Sequence, residues 1–108
     1  MKLHLLLLVF LLLCKFAFAY DTAKPWAWWW IFGNSMKESD ITYQLEYMKK
    51  SGMGGVCIIP CYGDKLDKAN YIDLISPEFM QKLAYIQKEA DRLELGVDMT
   101  MGSGWQFG

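Results

Sequence analysis

SPEFMQKLAYIQKEADRLELGVDMTM, residues 76–101, decides the fold. It reads as one capped helix running straight into a strand. Ser76 is placed to cap, Pro77 takes the first helical position and Glu78 the second. Phe79, Leu83, Ile86, Ala90 and Leu93 recur at helical spacing and form a single apolar stripe. Leu95 to Met101 then reads as a third strand. A helix that feeds a strand is half of a crossover unit, and the sequence before it supplies the other half.

Working towards the N-terminus, residues 61–75 form a polar loop with several Asp and Lys. That is long for a connection between strand and helix, and such loops are usually functional or disordered. Gly54 to Pro60 reads as a second buried strand. Before it lies a helix with Ser39 as its expected N-cap and Asp40 in its first turn. Ile41, Leu45 and Met48 make its apolar stripe, Glu46 and Lys50 are spaced to pair, and Gly52 stops it. Trp26 to Phe32 is apolar on both alternating faces, which fits a strand covered on both sides. Lys24-Pro25 precedes that strand and Gly33-Asn34-Ser35 ends it.

The order β-α-β-α-β predicts an α/β fold with parallel strands and right-handed crossovers. No Gly-x-Gly-x-x-Gly follows the first strand, which argues against a dinucleotide site. Five elements cannot close a barrel, which needs roughly 200 residues. The pattern therefore reads as the start of a (β/α)8 TIM-type barrel, truncated after the third strand. Residues 20–108 are expected to be the amino-terminal part of such a catalytic domain, itself incomplete.

Residues 1–19 read as a signal peptide. Met1-Lys2-Leu3-His4 is a short positive start, Leu5 to Leu13 is uninterrupted and apolar, and Ala17-Phe18-Ala19 is a small-x-small cleavage site. Lys15 breaks the apolar stretch, which is short for a bilayer span. Cleavage after Ala19 is the expectation, and no stable membrane anchor. Leu13-Cys14 weakly resembles a lipoprotein site, and an uncleaved anchor is the third option. A secreted or periplasmic location follows from the first reading.

Removing the leader removes His4, the single histidine of the chain. Residues 20–108 then hold no Ser–His–Asp triad, no Cys–His pair and no histidine-ligated zinc. Acid–base work falls to carboxylates, Tyr or Lys. Of eleven basic residues Lys2 and Lys15 also leave, so nine face twelve acidic ones. That balance gives no footprint for nucleic acid. Cys57 and Cys61, four residues apart on an extended segment, lie about 13 Å apart by strand rise. They read as free thiols, as a disulfide only if Pro60 turns the chain sharply, and as a metal pair only with further ligands.

Parallel strands bring their C-terminal ends to one face. Here those ends are Gly33-Asn34, Cys61-Tyr62-Gly63-Asp64 and Gly102-Ser103-Gly104-Trp105. Amide, phenol, hydroxyl, indole and bare backbone suit a sugar, whose C–H faces pack on aromatic rings and whose hydroxyls need neutral partners. Each residue also has a plainer role. Asn34 can cap the turn, Tyr62 can be a surface aromatic, and Gly102-Ser103-Gly104 can be a tight turn. The tryptophans of the first strand read mainly as core, with Trp30 nearest the strand end. Asp98, on a strand expected to be buried, needs a structural hydrogen bond or a ligand or metal contact. Asp64, Asp67 and Asp73 read as a solvated face, without the spacing of an EF-hand.

Trp28-Trp29-Trp30-Ile31-Phe32-Gly33-Asn34 followed by Ile41-x-x-x-Leu45-Glu46-x-Met48-Lys49-x-x-Gly52-Met53-Gly54-Gly55-Val56 resembles the opening of glycoside hydrolase family 106, the α-L-rhamnosidases. Pro60-Cys61-Tyr62-Gly63, Leu74 to Met80, Lys88-Glu89-Ala90-x-Arg92-Leu93, Leu95 to Met99 and Gly102-Ser103-Gly104-Trp105 fit the same series. The resemblance implies a (β/α)8 catalytic domain and inverting hydrolysis of terminal α-L-rhamnosides, with calcium as a helper. Its substrates would be rhamnose-containing plant polysaccharides or oligosaccharides such as pectin. It implies a catalytic carboxylate pair beyond the third strand, so none is assigned in this fragment, which is expected to be inactive alone. The residues carried over as substrate-binding are Asn34, Tyr62, Ser103 and Trp105, with Asp98 as a further substrate or metal contact. Relatives often have an acidic residue where Cys57 stands and a proline where Gln106 stands. Two rival expectations are a non-enzymatic carbohydrate-binding relic and a (β/α)8 glycosidase for another sugar.

Overall fold

A computed structural model describes residues 23–34 and 36–104. The expected leader, its cleavage site, Trp105 and Gln106 lie outside the described residues. Five main elements follow in order: β1 (Trp26–Phe32), α1 (Glu38–Lys50), β2 (Gly55–Cys61), α2 (Pro77–Arg92) and β3 (Gly96–Met99). A single 3-10 turn, Lys68–Asn70, interrupts the loop between β2 and α2. The strands form one parallel sheet in the order β1-β2-β3. Trp26 stands beside Gly55 and Gly55 beside Gly96, so the three strands start level.

Both helices pack on the same face of the sheet. Trp29 and Ile31 of β1, Val56 and Ile58 of β2, and Leu95 meet Ile41 and Leu45 of α1 and Ile86 and Ala90 of α2. The helical stripes read from the sequence are the stripes that face this core. Sequential strand order explains the one-sidedness: two crossovers of one hand deliver both helices to one side. The expectation that β1 is covered on both sides is therefore corrected. Trp26, Trp28 and Trp30 point to the other face and are 38%, 56% and 40% exposed. The Trp28 and Trp30 rings sit 6.4 Å apart, tilted by 57°. Asp98 is corrected in the same way: β3 is an edge strand here, and Asp98 is exposed on the uncovered face.

The helix ends carry their own chemistry. Ser76 caps α2, its hydroxyl accepting from the Phe79 N–H at 3.2 Å. Ser39 does not cap α1. That helix begins two residues earlier, with Lys37 at the cap position and no side-chain cap bond. The earlier start puts Glu38 in the first turn, where it favours the helix dipole and stands 3.8 Å from Lys82 of α2. Gly52 ends α1 at φ +85°, with Met53 N–H reaching back to the Met48 carbonyl. Glu94 ends α2 in the same left-handed conformation, with Leu95 N–H on the Ala90 carbonyl at 2.9 Å.

A polar seam ties the two helices together. Arg92 of α2 lies 2.7 Å from Glu89 and 2.8 Å from Glu46 of α1, so Glu46 turns to Arg92 rather than to Lys50 as expected. Thr42 of α1 donates to Glu89 at 3.0 Å and lies 2.8 Å from the Tyr85 hydroxyl. Glu89 is the one charged residue buried among the described residues, and its carboxylate accepts from both Arg92 and Thr42.

Candidate functional site at the strand ends

The C-terminal ends of the strands share one rim, and the long loop lies across it. Asn34, at the end of β1, forms an isolated bridge with Tyr71. Its side-chain Nδ2 donates to the Asp67 carbonyl at 2.8 Å, and its Oδ1 accepts from the Asp64 N–H. Ile72 N–H donates to the Gly33 carbonyl. The polar loop of residues 61–75 is thus fastened to β1. Ile72 is buried beneath it.

Tyr62 follows β2 directly and is 68% exposed. Its phenol lies over Gly104, where a methyl group would stand 2.7 Å from the phenolic oxygen. Gly104 has φ +82°, a conformation that favours glycine. Its N–H donates to the Pro60 carbonyl at 2.7 Å, and the Thr100 hydroxyl donates to the Gly102 carbonyl at 3.0 Å. These bonds fold the end of β3 back against the end of β2. Ser103, half-buried in that turn, lines a cavity of about 20 Å³ with Pro60, Cys61, Tyr71 and Phe79. That volume holds about one water.

The structure therefore brings Asn34, Tyr62 and Ser103 to one rim. Asp98 stands apart from them, within the uncovered face, on the register row Trp28–Cys57–Asp98. Trp105 lies outside the described residues. Two larger clefts flank the rim. One of about 160 Å³ runs between β1 and α1, past Trp29, Trp30, Asn34 and Gln44. The other, about 260 Å³, lies between the N-terminal ends of the helices, beside Lys37, Asn70, Tyr71 and Lys82. Trp29 closes the floor of the first by donating its indole N–H to Gln44 at 2.6 Å.

Cys57 and Cys61 are free thiols. Burial pushes the Cys61 thiol above its ordinary value, which keeps it protonated and weakly nucleophilic. Among the described residues no three His, Cys, Asp or Glu gather in a group that could hold a metal ion. Two loop carboxylates are engaged in turns: Asp64 accepts from the Leu66 N–H at 2.9 Å and Asp67 from the Asn70 amide at 2.8 Å. Sequence reading placed Gly63 at this rim and missed Tyr71, whose ring packs against it. No local signal marks Tyr71, since it reaches the rim from within the long loop.

The family model described as alpha-L-rhamnosidase, glycoside hydrolase 106, matches residues 19–108. The chain belongs to glycoside hydrolase family 106. It is also similar to the solved rhamnosidase from Novosphingobium sp. PP1Y, at 25% identity and a TM-score of 0.65. That similarity covers 82% of this chain and 9% of the rhamnosidase. The chain thus spans under a tenth of the length of the solved rhamnosidase it matches. No curated protein matches it.

Proposed function

We propose that this chain is the opening βαβαβ segment of a (β/α)8 TIM-type catalytic domain in a secreted or periplasmic α-L-rhamnosidase. The parent enzyme removes terminal rhamnose from plant polysaccharides such as pectin. The observation that carries the reading is the family match over residues 19–108, joined to a parallel sheet whose strand ends gather Asn34, Tyr62 and Ser103 at one rim. Neutral donors and acceptors beside an exposed phenol suit a deoxy sugar, which offers hydroxyls on one side and C–H groups on the other.

In this reading the segment binds and orients the sugar, and the proton transfers belong to residues beyond it. Inversion requires two carboxylates about 6.5–9.5 Å apart, one protonating the leaving oxygen and one activating water. Neither role is given to a described residue. Residues 20–108 alone then bind without hydrolysing.

The test is the release of L-rhamnose from an aryl α-L-rhamnoside by the secreted protein that carries this segment, with the product anomer followed by proton NMR. The β-anomer is expected first. First appearance of the α-anomer, or turnover by residues 20–108 alone, would overturn the reading.

A further inference from the structure

The loop between β2 and α2 is fastened to the end of β1 by the Ile72 N–H on the Gly33 carbonyl and by one side chain. Asn34 uses both ends of its amide, accepting from the Asp64 N–H and donating to the Asp67 carbonyl at 2.8 Å. An aspartate of the same length offers only acceptors, and an apolar residue offers neither partner. Gly63 lies inside this clasp, where a methyl group would overlap both the Tyr71 ring and Asn34 Oδ1. Tyr62 sits between two fixed points. Cys61 before it is held in the β1–β2 pairing opposite Phe32. Asp64 after it is held by Asn34. The phenol so placed stands over Gly104.

We propose that Asn34 is a positioning residue of the saccharide-binding rim, fixing the β2–α2 loop by its backbone and thereby setting the pose of Tyr62 over the Gly102–Gly104 turn. Sugar contact is made by Tyr62 and its surroundings, and Asn34 acts on it from behind. The identity of the sugar rests on the α-L-rhamnoside reading; the clasp itself does not.

The experiment uses the full 108-residue chain, nitrogen-15 labelled, as wild type, Asn34→Ala, Asn34→Asp and Gly63→Ala. Three quantities are read: exchange of the Asp64 amide, the nuclear Overhauser contact between the Tyr62 ring and Gly104, and an L-rhamnose titration at the Tyr62 ring signals. Asn34→Ala and Gly63→Ala should each speed Asp64 exchange about tenfold or more and lose the Tyr62–Gly104 contact. Both should weaken rhamnose binding by a similar factor, about tenfold. Gly63 has no side chain to offer a sugar, so a shared loss identifies the loop as the route. Asn34→Asp keeps the acceptor and should fall between. It replaces Asn34→Ala in the comparison if far-UV circular dichroism shows that the alanine variant unfolds. Weaker rhamnose binding in Asn34→Ala with the Tyr62–Gly104 contact intact would make Asn34 a direct ligand and sink the proposal. So would wild-type binding by Gly63→Ala. If the wild type ignores rhamnose, the rhamnoside reading of this rim fails, and the Tyr62–Gly104 contact in Asn34→Ala still decides the clasp: lost supports it, kept overturns it.

Discussion

The six-membered ring of Trp26 covers Gly96, two strands away. A methyl group on Gly96 would overlap that ring, and one on Gly55, the strand between, would come within 2.6 Å of the indole's fused bond. The three residues share a register row, so one tryptophan spans β1, β2 and β3 at their N-terminal ends. The bare backbone of two glycines forms the bed on which the indole lies.

Gly96→Ala should therefore destabilise the fold by overpacking, by about 1–3 kcal/mol. Trp26→Ala in the same chain should recover part of that loss, because the alanine methyl then finds room. Urea melts of the two single variants and the double variant measure the coupling. Additive losses would mean that the ring and the glycine do not share the strain.

Glu94 holds a left-handed conformation, φ +53°, at the end of α2. A side chain there costs roughly 1 kcal/mol relative to glycine. The exposed Lys49–Glu94 pair at 3.8 Å returns little of it. Glu94→Gly should raise the melting temperature. An unchanged or lower Tm by circular dichroism would place the strain elsewhere.

The hydrogen bonds from Arg92 hold the Glu89 carboxyl below its ordinary value; partial burial opposes them and Thr42 reinforces them. An unfolded glutamate takes up its proton around pH 4.3, the folded one lower. The seam's contribution is therefore complete above that ordinary value and is lost as pH falls through the folded one. Glu89→Gln should melt below wild type at neutral pH, and the gap should narrow from about pH 5 to about pH 3. Tm measured across that range checks the sign. A gap that widens with acid would contradict it.

Leu45 is fully buried in the middle of the helix–sheet core. Leu45→Ala should cost about 2–5 kcal/mol, enough to compromise a domain this small. Tyr47, 63% exposed on the same helix, should tolerate alanine within about 0.5 kcal/mol. Comparable losses at both positions in urea melts would show that α1 is docked on a different face.

The elements were legible because their signals are local. Ser76, Pro77 and the stripe from Phe79 to Ala90 fix α2, and the structure places it where that pattern does. The strands were legible as apolar runs, and their parallel order followed from the intervening helices. What the pattern could not tell was which face of a doubly apolar strand is covered. Trp29 and Trp30 are neighbours of identical type; one is buried and the other 40% exposed, and only the side on which the helices land separates them. Asp98 was misplaced for the same reason, since edge or centre is a property of the sheet and not of the strand. At the rim, Asn34, Tyr62 and Ser103 were found as a group. The double engagement of the Asn34 amide was not, because Asp64 and Asp67 lie about thirty residues away and their partners are backbone atoms.

Trp28 and Trp30 have a consequence for how this protein can be watched. Two indoles 6.4 Å apart and inclined at 57° couple their electronic transitions, and a tilted pair of this kind gives circular dichroism a split, signed aromatic band. Trp29, between them in sequence, looks into the helices and contributes from a dry environment. The uncovered side of the sheet thus carries its own optical label. Anything that settles on that side must change the angle or the surroundings of the pair, and the band will register it without an added dye.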